Sequence, residues 1–149
     1  MKLQHSDYMD IAIEQAQSAL ALGDVPIGCI IVKDDIIVGR GYNTRERDKN
    51  ALGHAELMAI KDACTNLASW RLSGCTLYVT LEPCPMCMGA IINARLDCVV
   101  FGALDSKAGC CGSVINLNEQ NFNHKVEILA GIRELKCQKM LCDFFKTLR

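Results

Sequence analysis

The chain has 149 residues, a length that favours one domain with a core large enough to fold without disulfide bonds. Half of its residues are hydrophobic and 22% are charged, which excludes a disordered or low-complexity chain. Sixteen basic and seventeen acidic residues give a formal charge of −1, which excludes a protein that binds nucleic acid through a generally basic surface.

The first half of the chain predicts a helix, two strands, a surface loop and a second helix. These elements span residues 7–22, 25–32, 36–42, 43–53 and 54–66. Ser6 is the predicted cap of the first helix, and Gly23 ends it. The strands are rich in β-branched residues and are separated by a short polar turn, which is typical of an antiparallel hairpin.

The second half predicts a strand, a helix, a strand, a loop with room for a helical turn, a weak strand and a helix. These elements span residues 77–81, 83–95, 98–101, 103–120, 126–129 and 132–148. Two strands that a helix connects run parallel, whereas the hairpin adds an antiparallel strand. We therefore expect an α/β fold of three layers, α/β/α, with a mixed five-stranded sheet and helices on both faces. No linker or repeat interrupts residues 1–149, which predicts a single domain.

The sequence contains neither a membrane span nor an export signal. Its longest apolar run, residues 27–32, is far shorter than the ~20 residues that a membrane helix needs. We therefore expect the chain to stay in the cytoplasm, where its ten cysteines would not form a disulfide framework. The spacing of the cysteines along the sequence then indicates which of them could be metal ligands or nucleophiles.

Three metal-binding side chains occur in two short motifs about thirty residues apart. His54 belongs to His-Ala-Glu, and Cys84 and Cys87 belong to Pro-Cys-Pro-Met-Cys. One imidazole and two thiolates are ligands that suit zinc. Each motif begins a predicted helix, so we expect two helix N-termini to point at one metal site.

Glu56, two residues after His54, completes the first motif. Residues two apart point to different sides of a helix, so the site is expected beyond the helix end rather than along its flank. Three protein ligands leave one tetrahedral position open, where the pKa of a bound water molecule falls to about 7. Glu56 could carry the proton of that water to a substrate, and attack on a carbon that bears an amino group would be hydrolytic deamination.

A structural zinc site is the alternative from a different class of protein. Cys75, Cys98, Cys110 or Cys111 could supply a fourth ligand, and the chain would then be a non-enzymatic binding module stabilised by zinc. Such a site needs no acidic residue two positions after its histidine, which favours the catalytic interpretation.

The two motifs resemble the signature of the zinc-dependent nucleoside and nucleobase deaminases, His-x-Glu followed by Pro-Cys-x-x-Cys. The chain is most similar to the bacterial tRNA-specific adenosine deaminases, because matching segments occur in order along nearly its whole length. These segments are residues 25–28, 41–43, 54–59, 77–87, 99–103, 105, 109–113, 122–124 and 143–145. The resemblance implies a cytidine-deaminase-like fold, Zn²⁺ held by His54, Cys84 and Cys87, and Glu56 as the proton shuttle.

The resemblance also implies the substrate and the residues that bind it. Asn43 would hold a flipped nucleoside, Ile27 would line the base pocket, and Asp105 would contact neighbouring nucleotides of the anticodon loop. The implied reaction converts adenosine to inosine at the wobble position of a tRNA anticodon stem-loop, and members of this family act as homodimers. The same zinc site also serves deaminases of free guanine, cytosine or dCMP, so a small-molecule substrate is the alternative.

Overall fold

The structure of this chain, a computed structural model, describes residues 2–148. In chain order its helices and strands are α1 (His5–Ala21), β1 (Gly28–Lys33), β2 (Ile36–Tyr42), α2 (Arg45–Asp48), α3 (Ala55–Leu67), β3 (Cys75–Leu81), α4 (Pro85–Asn93), β4 (Cys98–Ala103), β5 (Glu127–Leu129) and α5 (Glu134–Thr147). A 3-10 turn, Leu117–Glu119, lies in the long connection between β4 and β5.

The five strands form one mixed sheet in the order β2-β1-β3-β4-β5. β1 runs antiparallel to both β2 and β3, whereas β3, β4 and β5 run parallel to one another. The start of β1, the end of β2 and the ends of β3 and β4 therefore meet at one edge of the sheet. The predicted mixed five-stranded sheet is confirmed, and this edge is where the candidate site lies.

Helices cover both faces of the sheet, as the element order predicted. Successive strand residues point to opposite faces, so Leu77 and Val79 enter the core formed with α3 and α4. Tyr78, between them, enters the second core, which α1 and α5 cover. No helix between residues 2 and 148 has the length and apolar character that crossing a membrane requires.

The N-terminus of α3 lies close to the sheet because β2 carries a glycine there. A Cβ atom on Gly41 would collide with the backbone of Ala55 and Ala59 in α3. The missing side chain lets the start of α3, with His54 just before it, pack against the end of β2. This close approach brings the first predicted ligand to the edge where the strands end.

The predicted cap of the first helix was wrong. α1 begins at His5, and the N–H of Gln4 donates to Asp7 Oδ2 at 2.8 Å, so Ser6 lies inside the first turn. The first strand also begins later than predicted, at Gly28. Pro26 has no N–H to give to a neighbouring strand, and residues 25–27 instead turn tightly, with the N–H of Ile27 donating to Val25 O at 2.8 Å.

The predicted surface loop 43–53 contains the short helix α2, and its first residues are buried rather than exposed. The carboxylate of Asp24 accepts the N–H groups of Glu46 and Arg47 at 2.9 and 3.1 Å, so it satisfies backbone donors at the start of α2. α2 therefore depends on a contact between residues more than twenty positions apart. The helix propensity of its own residues did not indicate it.

Candidate active site

His54, Cys84 and Cys87 meet where two helices begin. His54 is the N-cap of α3, Cys84 is the N-cap of α4, and Cys87 lies in the first turn of α4. Pro85 occupies the first position of α4, where its missing N–H is not needed. The structure therefore places two helix N-termini at one site, as the spacing predicts.

The three side chains have the spacing that a zinc ion requires. His54 Nδ1 lies 3.6 Å from Cys84 Sγ and 3.5 Å from Cys87 Sγ. Zinc bonds of about 2.3 Å to sulfur and about 2.0–2.1 Å to nitrogen, at a tetrahedral angle, separate these two atoms by about 3.5–3.6 Å. These two distances thus fit zinc, and all three donor atoms lie within 4.8 Å of one another.

A fourth protein ligand is absent from this group. Between residues 2 and 148, the His, Cys, Asp and Glu side chains close enough to share one ion here are His54, Cys84 and Cys87 alone. The cysteines considered as a fourth ligand lie outside the group: Cys75, Cys98, Cys110 and Cys111. A tetrahedral ion bound by these three residues would keep one position for a small molecule, which is the arrangement of catalytic zinc.

The electrostatics of the site favour a thiolate. Hydrogen bonds with Cys87 and with His54 lower the pKa of Cys84 to about 4. The hydrogen bond with Cys84, together with burial, raises the pKa of Cys87, and the contact with Cys84 also raises the pKa of His54. Cys84 is therefore ionised at neutral pH, and thiolate is the form that binds metal.

Glu56 is buried beside this group, with 4% of its surface exposed. Burial raises the pKa of its carboxyl to about 7. A carboxyl group that titrates near neutral pH can both take up and release a proton under the same conditions. Within the described chain, Glu56 is not part of the metal-binding group, so its carboxyl group is available to take up and release protons.

A cavity of about 240 Å³ opens onto these residues. Its lining comes from the ends of the strands, the starts of α3 and α4, and α5: Val25, Ile27, Asn43, Arg45, His54, Ala55, Glu56, Leu81, Glu82, Cys84, Asp105, Ala108 and Phe145. Six of the seven residues singled out from the sequence thus face one cavity, and the seventh, Cys87, is fully buried next to His54.

Backbone contacts at the sheet edge position the three residues predicted to bind substrate. The N–H of Asn43 donates to Ile27 O at 3.0 Å, which joins the end of β2 to the segment before β1. Asp105 follows β4, and its Oδ1 accepts the N–H groups of Lys107 and Ala108 at 3.0 and 3.2 Å. Polar and apolar side chains that flank the ends of separate strands therefore line the same cavity.

Sequence reasoning missed four residues that shape the cavity. Arg45 and Phe145 line it directly, and Asp24 holds α2, which begins with Arg45. Glu82 is a buried carboxylate; hydrogen bonds from Ser113, Asp105 and Cys111 outweigh its burial and lower its pKa. Asp24 and Glu82 each lie next to an apolar run that contains a strand. An acidic residue beside such a run is the feature of the sequence that could have indicated these two residues.

The comparisons with known proteins agree with this geometry. A family model described as MafB19-like deaminase matches residues 3–149. A tRNA-specific adenosine deaminase of Bacillus subtilis strain 168 is 48% identical over 143 residues, which are 95% of this chain and 89% of that protein.

Two solved structures add to this. A tRNA:A34 deaminase, from studies of A-to-I editing at the wobble position of transfer RNA, superposes with a TM-score of 0.85 at 36% identity, covering 90% of this chain and 98% of that one. A guanine deaminase from Bacillus subtilis superposes with a TM-score of 0.65, also at 36% identity, over 68% of this chain and 66% of that one.

The predicted cytidine-deaminase-like fold is confirmed by these superpositions together with the strand order. The family match extends over nearly the whole chain, and the B. subtilis relative matches it to the same extent. The chain therefore belongs to the MafB19-like deaminase family and, within it, to the bacterial tRNA-specific adenosine deaminases.

Proposed function

We propose that this chain hydrolyses adenosine to inosine and ammonia at the wobble position of a tRNA anticodon. The observation that supports this most is the set of His54, Cys84 and Cys87 beside the buried carboxyl of Glu56, next to one cavity that His54, Glu56 and Cys84 line. The kinship with tRNA-specific adenosine deaminases supports the choice of substrate.

His54, Cys84 and Cys87 would hold one zinc ion per subunit, because their donor atoms match its bond lengths and its preferred ligands. The ion, when bound, makes a water molecule nucleophilic at neutral pH. Cys84 is ionised before the metal arrives, and the two helix N-termini stabilise the negative charge of the sulfur atoms.

Glu56 moves the protons of the reaction. Its carboxylate takes one proton from the water that adds to C6 and delivers it to adenine N1. It then takes the second proton of that water from the new C6 hydroxyl and gives it to the amino group, so that the C6–N bond breaks, ammonia leaves and a C6 carbonyl forms. Its pKa of about 7 keeps both the charged and the neutral forms accessible. Burial shields the proton from bulk water, so the transfers stay within the site.

The walls of the cavity would bind the nucleoside. The amide of Asn43 can donate and accept hydrogen bonds, Ile27 offers an apolar surface to the base, and Asp105 would contact neighbouring nucleotides. The cavity holds about one base, so the target adenosine must leave the stack of the anticodon loop before it enters. We also propose that the protein acts as a homodimer in the cytoplasm, which rests on its family membership.

One assay with four candidate substrates and one control RNA tests the proposed function. We expect the zinc-loaded protein to form inosine in an anticodon stem-loop with adenosine at the wobble position. A stem-loop with that adenosine moved by one position is the matched control, and we expect no inosine in it. Ammonia release from free guanine, cytosine and dCMP is measured in parallel and is expected to be absent.

The other outcomes of this assay are equally informative. Turnover of a free base or nucleotide without turnover of the stem-loop would contradict the RNA substrate and favour the alternative, to which the similarity with a guanine deaminase points. A folded, zinc-loaded protein that deaminates none of the four would contradict an enzymatic role and favour a zinc-stabilised binding module.

A further inference from the structure

A buried carboxylate outside the proposed chemistry lies beside the cavity. Glu82 is 2% exposed, directly follows β3 and stands two residues before Cys84. It forms no ion pair within the described part of the chain. Burying a carboxylate without a cation costs free energy unless hydrogen-bond donors satisfy its oxygen atoms. The donors to Glu82 therefore identify the segment that this side chain holds in place.

All of these donors come from one segment, residues 105–113, which we name the wall loop. Oε1 of Glu82 accepts the N–H of Asp105 at 3.0 Å and also the hydroxyl of Ser113. Oε2 accepts the N–H of Cys111 at 2.9 Å and the N–H of Ser113 at 3.1 Å. The two ends of the wall loop therefore converge on one carboxylate.

The wall loop is part of the cavity. Asp105 and Ala108 line it together with Glu82 itself. Gly109 passes so closely over Glu82 that a Cβ atom there would overlap the carboxyl group. The N–H of Cys110 donates to Pro83 O at 2.8 Å, which ties the wall loop to the backbone just before Cys84.

We propose that Glu82 is a positioning residue: its carboxylate sets where Asp105 and Ala108 stand, and so sets the shape of the cavity that receives the base. Glu82 lies outside the metal-binding group, so it acts through the wall loop rather than through the ion. The identity of the base rests on the proposed function, whereas the attachment of the wall loop to Glu82 does not.

Glu82→Gln tests this in the zinc-loaded protein. The substitution keeps the size of the side chain but turns one acceptor oxygen into an NH₂ group that faces N–H donors. We expect amide hydrogen exchange at Cys111 and Ser113 to accelerate about tenfold or more, with exchange in α3 unchanged. We expect KM for the stem-loop to rise about tenfold while kcat changes less than about threefold and zinc content is retained.

Asn118→Ala is the matched control. Asn118 also holds backbone, accepting from the N–H of Val126 at 2.9 Å and donating to Val126 O at 2.7 Å, but it does not line the cavity. We expect it to loosen its own segment without changing KM. An equal rise of KM in both variants would show a general loss of stability and overturn the positioning role of Glu82.

Other outcomes also decide the proposal. Unchanged amide exchange at Cys111 and Ser113 in Glu82→Gln would overturn the proposal, and so would faster exchange with an unchanged KM.

If the wild-type protein deaminates a free base instead of the stem-loop, the proposed function fails and the same KM comparison is made with that base. If Glu82→Gln does not fold, Gly109→Ala keeps the carboxylate but displaces the wall loop, and we expect the same two changes from it.

Discussion

Glu56→Gln is expected to abolish turnover and leave a folded protein that still binds zinc. Glutamine has the shape of glutamate, so it fits the buried position, but its amide cannot carry a proton between water and substrate. General acid–base catalysis contributes about 10²–10⁴-fold, and because Glu56 serves two proton transfers we expect kcat to fall by about 10⁴-fold. The measurement is inosine formation in the stem-loop, with zinc content determined on the same sample.

Glu14→Gln is the control for this experiment, since Glu14 is an exposed residue of α1 and the chemical change is identical. It should leave kcat and zinc content unchanged. Normal turnover in Glu56→Gln would show that another group moves the proton. Loss of zinc from Glu56→Gln would show that Glu56 is a ligand, contrary to its place outside the group of metal-binding atoms.

Cys84→Ala and Cys87→Ala are expected to release the metal and to stop turnover together. Each removes one of two sulfur ligands, and two remaining ligands hold zinc far more weakly than three. Metal that binds only the folded state stabilises it, so we expect a chelator to lower the Tm of the wild-type protein but not that of either variant. Zinc content and Tm with and without the chelator are the measurements.

Cys137→Ala is the matched control, because Cys137 of α5 is as fully buried as Cys87 but packs in the second core, on the other face of the sheet. We expect it to retain zinc, turnover and the effect of the chelator on Tm. Full zinc occupancy in Cys84→Ala or Cys87→Ala would contradict their role as ligands. Loss of zinc in Cys137→Ala would show that unfolding, rather than the missing ligand, releases the metal.

The chemistry of the site could be predicted from the sequence because its parts are local. A histidine at an N-cap and a Pro-Cys-x-x-Cys turn place their side chains through the geometry of a helix start, which neighbouring residues determine. The same holds for the order of strands and helices, since each depends on a short run of apolar residues. The layered sheet follows from that order.

The parts that sequence reasoning missed depend on contacts between distant residues. α2 forms because Asp24 accepts its N–H groups from across the chain, and the wall loop takes its shape from Glu82. Phe145 lines the cavity only because α5 packs on the sheet near β4, which no local pattern of charges or apolar residues reveals. Ser6 fits the composition of a cap, but the helix is capped two residues earlier, at Gln4, whose N–H donates to Asp7.

X-ray absorption at the zinc edge of the wild-type protein tests whether His54, Cys84 and Cys87 hold a zinc ion with one open position. We expect two sulfur atoms at about 2.3 Å and two lighter atoms at about 2.0–2.1 Å around each zinc ion, one of them a nitrogen. Three or four sulfur atoms would mean that another cysteine closes the open position and that the metal is structural. A first shell without sulfur would mean that Cys84 and Cys87 do not hold the ion at all.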